Sequence, residues 1–336
     1  MARKDKRERK ELEKEEKREK KARKKARRAE EAGLGERVTH APEIQPGTYS
    51  DGHPFDQVHY LESKLILRPE RFTSVKSFRE FAGFVRSAAK ESGVDFDTAS
   101  CTSVPPQIRE VLFLDTPEFH LYNNAFILRR RTVYENGFPV GDPEVVFKFR
   151  HPDLQTAAET DVRPSIRGPH IMKFKAEALP LKDRLGGVRL LYSHTVQFPL
   201  AIGGDPDSRT AATEIARALP VLDRLSFGEN EQVQLVNQMI VEEVMQELGM
   251  LDFGKGITAR AEAALWRSRG EHRSLVGEFS FQTRFNRRDE LHEKALRRVE
   301  KFFTGLQVAL GDWVSLTTTK TGVVYRLHGN PPTAHE

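Results

Sequence analysis

Two apolar runs flank an Asp-Thr-Pro turn within residues 108–131, IREVLFLDTPEFHLYNNAFILRRR. The first run, 111–114, stops at Asp115-Thr116-Pro117. Proline has no N–H to donate to a sheet ladder and holds the preceding residue extended, so we expect a strand to end there. A short connection then leads to a second strand.

The second strand carries a regular pattern of charge. It begins at Ala125 and ends in Arg129-Arg130-Arg131. Side chains alternate between the two faces of an extended chain, so Arg129 and Arg131 share a face with Ile127, whereas Arg130 points the other way. The strand therefore directs two guanidinium groups to one side of the sheet.

An earlier segment shows the same alternation with mixed charge. In Tyr60-Leu61-Glu62-Ser63-Lys64 the carboxylate and the ammonium fall on one face, together with the tyrosine. We expect this strand to run over 57–67.

These segments resemble the CYTH family, also called triphosphate tunnel metalloenzymes. The resemblance extends with gaps from about Tyr60 to about Tyr325, and its best-matched piece is Leu112–Arg131. It implies an α+β fold: a closed antiparallel β-barrel, or tunnel, of about eight strands with helices packed outside. It also implies that a triphosphate group binds inside the barrel.

The chain departs from the family pattern in its carboxylates. The family begins with Glu-x-Glu-x-Lys, and Tyr60 stands at the first position here. The family tends to close with a second pair of acids, whereas Glu278-Phe-Ser280-Phe-Gln282 offers one. The departures weaken the expectation of full metal chemistry.

Periodicity and turn residues predict the remaining elements. We expect helices over 73–91 and 289–310, and a helical insertion near 208–248 made of segments 208–224 and 229–248. The other expected strands are 144–150, 156–163, 187–200, 257–267, 273–285 and 314–327. Residues 164–186 favour no assignment. The domain prediction is a charged tail at 1–31, disordered or helical and solvated, a linker at 32–55 and a CYTH-like barrel domain at 56–328.

Alternation and the resemblance together define candidate site residues. Arginine forks and lysine point charges suit phosphate oxygens, and carboxylates near them suit a divalent cation, here Mg²⁺ or Mn²⁺. The predicted substrate-binding residues are Lys64, Arg129, Arg131, Lys148, Arg150, Arg163, Arg260 and Lys320. The predicted metal ligands are Glu62, Glu159, Asp161 and Glu278, and the predicted catalytic residues are Glu62, Lys64 and Lys148. For each of them the alternative is a wet polar face of an ordinary sheet.

Three functional hypotheses follow. The first is a phosphohydrolase that cleaves the terminal phosphoanhydride of a triphosphate-containing small molecule or of inorganic polyphosphate with a divalent metal; the resemblance also permits cyclase chemistry. The second, suggested by the missing acids, is a module that binds polyphosphate or nucleotide with little or no turnover. The third is an adaptor whose basic N-terminal arm binds RNA, ribosomes or another polyanion.

Composition limits the remaining possibilities. Of the 54 Lys/Arg and 49 Asp/Glu in 336 residues, 1–31 hold 16 and 9, so the remainder holds 38 and 40 and its net charge is −2. The single cysteine, Cys101, excludes an internal disulfide. The absence of a long apolar run or of an apolar leader predicts a cytoplasmic protein with no membrane contact.

Overall fold

The computed structural model describes residues 43–99, 104–199, 209–316 and 318–328. Within these ranges the strands are β1 (Tyr60–Leu67), β2 (Asp95–Asp97), β3 (Gln107–Asp115), β4 (Phe126–Glu135), β5 (Phe138–His151), β6 (Ile171–Leu179), β7 (Arg189–Pro199), β8 (Thr210–Ala211), β9 (Gln232–Asp252), β10 (Thr258–Ser268) and β11 (Ser274–Arg284). The α-helices are α1 (Val75–Ser92), α2 (His120–Asn123), α3 (Leu154–Glu159), α4 (Ala212–Ala218), α5 (Glu293–Leu310) and α6 (Lys320–Tyr325).

Nine strands of the described chain close into a barrel. Their order around the ring is β1-β6-β7-β5-β4-β3-β9-β10-β11, and β11 pairs again with β1. The pairing of β1 with β6 is parallel and the others are antiparallel. Neighbours can alternate in direction around a closed ring only if the strand number is even, so nine strands require a parallel pair. The predicted closed α+β barrel is confirmed, with nine strands of mixed direction.

Two long helices cover one outer face of the barrel. They are α1, which ends at Gly93 in the left-handed region with φ +67°, and α5. Phe81 of α1 and Phe302 of α5 are fully buried over the outward face of β11, where Phe279 contacts Phe81 at 5.4 Å between ring centroids. On β11 the outward positions are thus apolar, whereas the inward positions Glu278, Ser280 and Gln282 are polar. The predicted helices agree with α1 and α5.

A second apolar core lies outside β4, β5 and β7. There α4 and the 3₁₀ turn Pro220–Leu225 pack against Phe126, Phe147 and Phe198. The prediction of a helix over 208–224 is therefore right for part of 209–224. Residue 208 lies outside the described residues.

The predicted helix at 229–248 is wrong, because residues 232–248 belong to the long strand β9. A wide bulge interrupts β9: Leu112 pairs with Ile240 but Leu114 with Leu235, so two steps along β3 match five along β9. Asn237 and Gln238 within the bulge both have φ +52°. The extra residues put the alternation out of phase, and the apolar positions then fall at helix-like spacing.

Two predicted strands are short helices. Residues 154–159 form α3, which begins where Asp153 accepts a hydrogen bond from the Thr156 N–H at 2.7 Å. In the segment 314–327, Thr319 caps α6 by accepting from the Gly322 N–H at 3.0 Å. Both starts are side-chain caps, which compete locally with an extended conformation.

The unassigned segment 164–186 contains β6, which completes the ring between β1 and β7. The charged tail at 1–31, residues 32–42 of the linker and Cys101 lie outside the described residues. The domain boundaries and the polyanion contact of the tail stay predictions. None of the helices in the described ranges has the length and apolarity required to cross a membrane.

Candidate active site inside the barrel

The inward faces of the strands surround a cavity of about 400 Å³. Its lining is dominated by charged side chains, with twice as many cations as anions. The cations are Lys64, Arg109, Arg129, Arg131, Lys148, Arg150, Lys173, Lys175, Arg260 and Lys320. The anions are Glu62, Glu177, Glu243, Glu262 and Glu278. The lining therefore has a formal excess of five positive charges, although the chain after residue 31 is slightly acidic.

Most of the predicted site residues meet in this cavity, which they reach from five strands and α6. Those that line it are Glu62, Lys64, Arg129, Arg131, Lys148, Arg150, Arg260, Glu278 and Lys320. Arg260 lies where the cavity opens, since its side chain is 61 % exposed and is 3.6 Å from Glu247.

Three predicted site residues lie elsewhere, so the prediction that they point into the barrel is wrong. Glu159 ends α3 and accepts from the exposed Gln155 amide. Arg163 pairs with Asp161 at 2.5 Å and with Asp51 at 3.0 Å, outside the cavity. The error arose because the strand assumed for 156–163, whose alternation selected all three residues, does not form.

Glu177 is the most buried acid of the cavity and was missed in the sequence. It is fully buried, and its carboxylate is 3.0 Å from Lys148, 3.2 Å from Lys64 and 3.4 Å from Arg150. Ser193 also donates to it, at 2.5 Å. Burial alone would raise the pKa of Glu177, but these cations hold that pKa well below its usual range. The alternation of Lys173, Lys175 and Glu177 in β6 was the available signal.

Glu62 forms a second ion-pair centre beside Glu177. Its Oε2 is 3.0 Å from Lys64 and 3.1 Å from Lys175, and Lys175 also donates to the Gln282 amide oxygen at 2.6 Å. Burial favours the protonated acid, yet Lys175 and Lys64 outweigh it and lower the pKa of Glu62 to about 2. Glu62 is thus a stable anion held between two ammonium groups.

Lys320 enters the cavity from α6 and joins two further acids. Its ammonium is 2.8 Å from Glu243 and 3.0 Å from Glu278, and it lies 4.4 Å from the centroid of the Trp266 ring. The Trp266 Nε1–H donates to Glu243 at 2.8 Å. Burial would raise the pKa of Glu243, but Lys320 and Arg131 lower it.

The Asp-Thr-Pro turn holds α6 in place rather than facing the cavity. The buried Asp115 carboxylate accepts from the backbone N–H groups of Thr116, Leu121 and Tyr122 at 2.8–2.9 Å, and from the Tyr325 hydroxyl at 3.1 Å. Burial raises the pKa of Asp115 to about 7, against these donors. The β9 bulge adds an anchor, because the Asn237 amide donates to the Val324 carbonyl at 2.7 Å. Both contacts fix the helix that supplies Lys320.

Arg129 and Arg131 of β4 have no acid partner as close as those of the lysines in the described chain. Arg129 forms no ion pair within 4.0 Å in the described chain, and the nearest acid to Arg131 is Glu144 at 3.9 Å. Burial and the adjacent Arg131 lower the pKa of Arg129 to about 9. Burial also lowers the pKa values of Lys148 and Lys173. Buried cations this crowded are costly unless an anion accompanies them.

A divalent metal fits the described carboxylates poorly. No cluster of three or more His, Cys, Asp or Glu side chains suited to a metal occurs in the described ranges. Glu62, Glu177, Glu243 and Glu278 are each within 3.2 Å of a lysine ammonium. Mg²⁺ requires a near-octahedral set of oxygens, and here ammonium groups lie where such a cation would have to enter.

The closed barrel with a cation-rich lumen agrees with the fold that the resemblance to the CYTH family implies. No protein-family model and no curated protein matches the chain. Among solved structures it is similar to HpAC1 from Hippeastrum, a candidate adenylyl cyclase described as having a dominant triphosphatase activity: TM-score 0.38, 12% identity, covering 83% of this chain and 100% of that one.

Two further structures are similar at comparable levels. The PH1819 protein from Pyrococcus horikoshii gives a TM-score of 0.29 and 14% identity, covering 74% of this chain and 90% of its own. A candidate adenylate cyclase from Vibrio parahaemolyticus gives 0.30 and 10%, covering 80% and 98%. These TM-scores are below 0.5, so the description of the fold and site rests on the barrel geometry.

Proposed function

We propose that the barrel binds the triphosphate group of a small molecule, or a stretch of inorganic polyphosphate, inside its cavity. The observation that carries this proposal is the excess of ten Lys/Arg over five Glu around one enclosed space of about 400 Å³. Each phosphoryl group brings about one to two negative charges, so three in a row match the excess of five.

The arginines and the lysines of the cavity would contact the phosphate oxygens in different ways. Arg129 and Arg131, without close acid partners, can form paired charged hydrogen bonds with phosphate oxygens. Lys64, Lys175 and Lys320 each use two oxygen partners and retain a third N–H for the ligand. Bound phosphate would relieve the repulsion among buried cations, and this relief contributes to affinity.

Hydrolysis of the terminal phosphoanhydride is the second candidate. It is favoured by one observation: the predicted catalytic residues Glu62, Lys64 and Lys148 form one ion-pair chain around Glu177. In this reaction a water oxygen bonds to the terminal phosphorus, the bond from phosphorus to the bridging oxygen breaks, and a proton passes to solvent. The cations would stabilise the charge that develops on the bridging oxygen.

Calorimetric titration with tripolyphosphate tests the binding proposal, using Arg129→Met as the variant. Loss of charged hydrogen bonds is expected to weaken binding by about tenfold or more. Arg163→Met is the matched control, because Arg163 lies outside the cavity, and it should bind as the wild type does. Equal binding by all three proteins would contradict the proposal.

Phosphate release from tripolyphosphate, measured with and without Mg²⁺ or Mn²⁺, tests the second candidate and the predicted metal together. Release that is lost in Glu62→Gln supports an enzyme. Tight binding with no release under any of these conditions leaves a binding module.

A further inference from the structure

Lys175 lies between two oxygen acceptors that belong to neighbouring strands. Its ammonium is 3.1 Å from Glu62 on β1 and 2.6 Å from the Gln282 oxygen on β11. Glu62 and Gln282 are directly paired in the sheet. Lys175 reaches them from β6, on the other side of β1. Three adjacent strands therefore converge on a single positive charge.

Two other lysines repeat this arrangement. Lys64 joins Glu62 to Glu177, and Lys320 joins Glu243 to Glu278, all at 2.8–3.2 Å. At Lys64 and Lys320 both oxygen acceptors are carboxylates, whereas at Lys175 one is a neutral amide. A donor set of one carboxylate and one amide is weak for Mg²⁺ or Mn²⁺ but sufficient for one ammonium.

We propose that Lys175 is a built-in cation that takes, between Glu62 and Gln282, the place of a divalent metal. The barrel consequently binds its anion without Mg²⁺ or Mn²⁺. This inference rests on the proposed triphosphate binding and specifies its cofactor requirement.

Charge balance around Lys175 supports the proposal. A metal entering between Glu62 and Gln282 must displace an ammonium whose side chain is 16 % exposed. The displaced charge would remain in a lumen that already has excess cations, including the neighbouring Lys173, whose pKa is lowered by burial and by Lys175. The ammonium already supplies a positive charge at this position, and its third N–H is available to a phosphate oxygen.

Titration of wild-type protein with tripolyphosphate, in EDTA and then in Mn²⁺, gives the first test. Binding in EDTA at least as tight as in Mn²⁺ supports the proposal. Binding that requires Mn²⁺ overturns it and leaves triphosphate binding intact. Absence of binding under both conditions contradicts the proposed function itself, and the inference falls with it.

The double variant Lys175→Gln/Gln282→Glu gives the second test. It removes the ammonium and places two carboxylates side by side, so tripolyphosphate binding should be weak in EDTA and improve about tenfold or more with Mn²⁺. Mn²⁺ binding without anion, followed by electron paramagnetic resonance, should appear in this variant and be absent in the wild type.

Lys173→Gln is the matched control, because Lys173 lies on the same strand, lines the same cavity and forms no ion pair within 4.0 Å in the described chain. It should weaken binding without creating a response to Mn²⁺. A natively folded double variant that gains no Mn²⁺ binding, or a control that gains as much, would overturn the assignment of Lys175.

Discussion

The two sides of the lumen both carry cations, but these cations differ in how close their carboxylate partners are. On β1 and β6, the lysine–glutamate wall, formed by Glu62, Lys64, Lys175 and Glu177, pairs its cations with carboxylates at 3.0–3.2 Å. Across the barrel, Arg129 and Arg131 of β4 form the arginine wall, whose nearest acid in the described chain is Glu144, 3.9 Å from Arg131. The cations of the first wall are neutralised by carboxylates of the fold, and the proposed triphosphate group would neutralise those of the second.

This difference separates stability from function. Removing the acid of a buried ion pair leaves a buried cation without its partner and destabilises the protein. Removing a cation that has no close acid partner instead reduces the repulsion among the remaining cations. Substitutions on the lysine–glutamate wall should thus reduce stability first. Substitutions on the arginine wall should reduce binding first.

Glu177→Gln should have the largest effect on stability. It leaves Lys64, Lys148 and Arg150 without their common carboxylate, so the free energy of unfolding should fall by about 3–5 kcal/mol. Urea denaturation measures this. Glu293→Gln, on the exposed face of α5, is the control and should change stability by about 0.5 kcal/mol or less. A small effect at Glu177 would mean that the network does not hold the fold.

Arg129→Met should show the reverse behaviour. Tripolyphosphate affinity should fall by about tenfold or more, while the free energy of unfolding without ligand stays the same or rises by about 1 kcal/mol. Calorimetry and urea denaturation on the same preparation measure both quantities. Loss of stability without loss of affinity would show that the two walls do not differ as described.

The stability of the unliganded protein and its affinity for the anion should depend on pH in opposite directions. Burial and nearby cations lower the pKa of Lys148 in the folded protein, so the unfolded chain binds more protons between the lowered pKa and the ordinary lysine value near 10.5. Unliganded stability should therefore rise with pH in that window.

A bound anion raises the pKa of Lys148 again, so binding takes up a proton and affinity should fall as pH rises. Titrations in two buffers of different ionisation enthalpy count the protons. If affinity does not vary with pH and binding takes up no proton, the claim that repulsion among the lumen cations is relieved by a bound anion is contradicted.

Tyr325→Phe should have the smallest effect on tripolyphosphate affinity. It removes the hydroxyl that donates to Asp115 at 3.1 Å and should cost about 1–3 kcal/mol in stability. Affinity should fall only slightly, through looser placement of Lys320. Thermal unfolding and tripolyphosphate titration measure the two effects. An affinity loss as large as that of Arg129→Met would mean that α6, rather than the arginine wall, dominates binding.

The sequence predicts the elements in which alternation is unbroken. The cavity-lining residues of β1, β4, β5, β10 and β11 recur at every second position, and this period placed Glu62, Arg129, Lys148 and Glu278 correctly in the lumen. The closed barrel was predicted through the resemblance to the CYTH family, which the Asp-Thr-Pro turn and the following arginine strand carry.

The remaining errors have local physical causes. The bulge around Asn237 and Gln238 interrupts the two-residue alternation of β9. The segment was therefore predicted as a helix, and Glu243 was not among the predicted site residues. Caps at Asp153 and Thr319 turn two apparent strands into short helices. Pairing of lysines with carboxylates depends on which strands become neighbours, and no spacing along the chain reveals that.

A crystal structure of the wild-type protein with tripolyphosphate tests the central claim most directly. We predict a triphosphate inside the barrel, in hydrogen-bond contact with Arg129 and Arg131 and with the third N–H of Lys175. Tripolyphosphate bound only on the outer surface, with the lumen unchanged, would contradict the account.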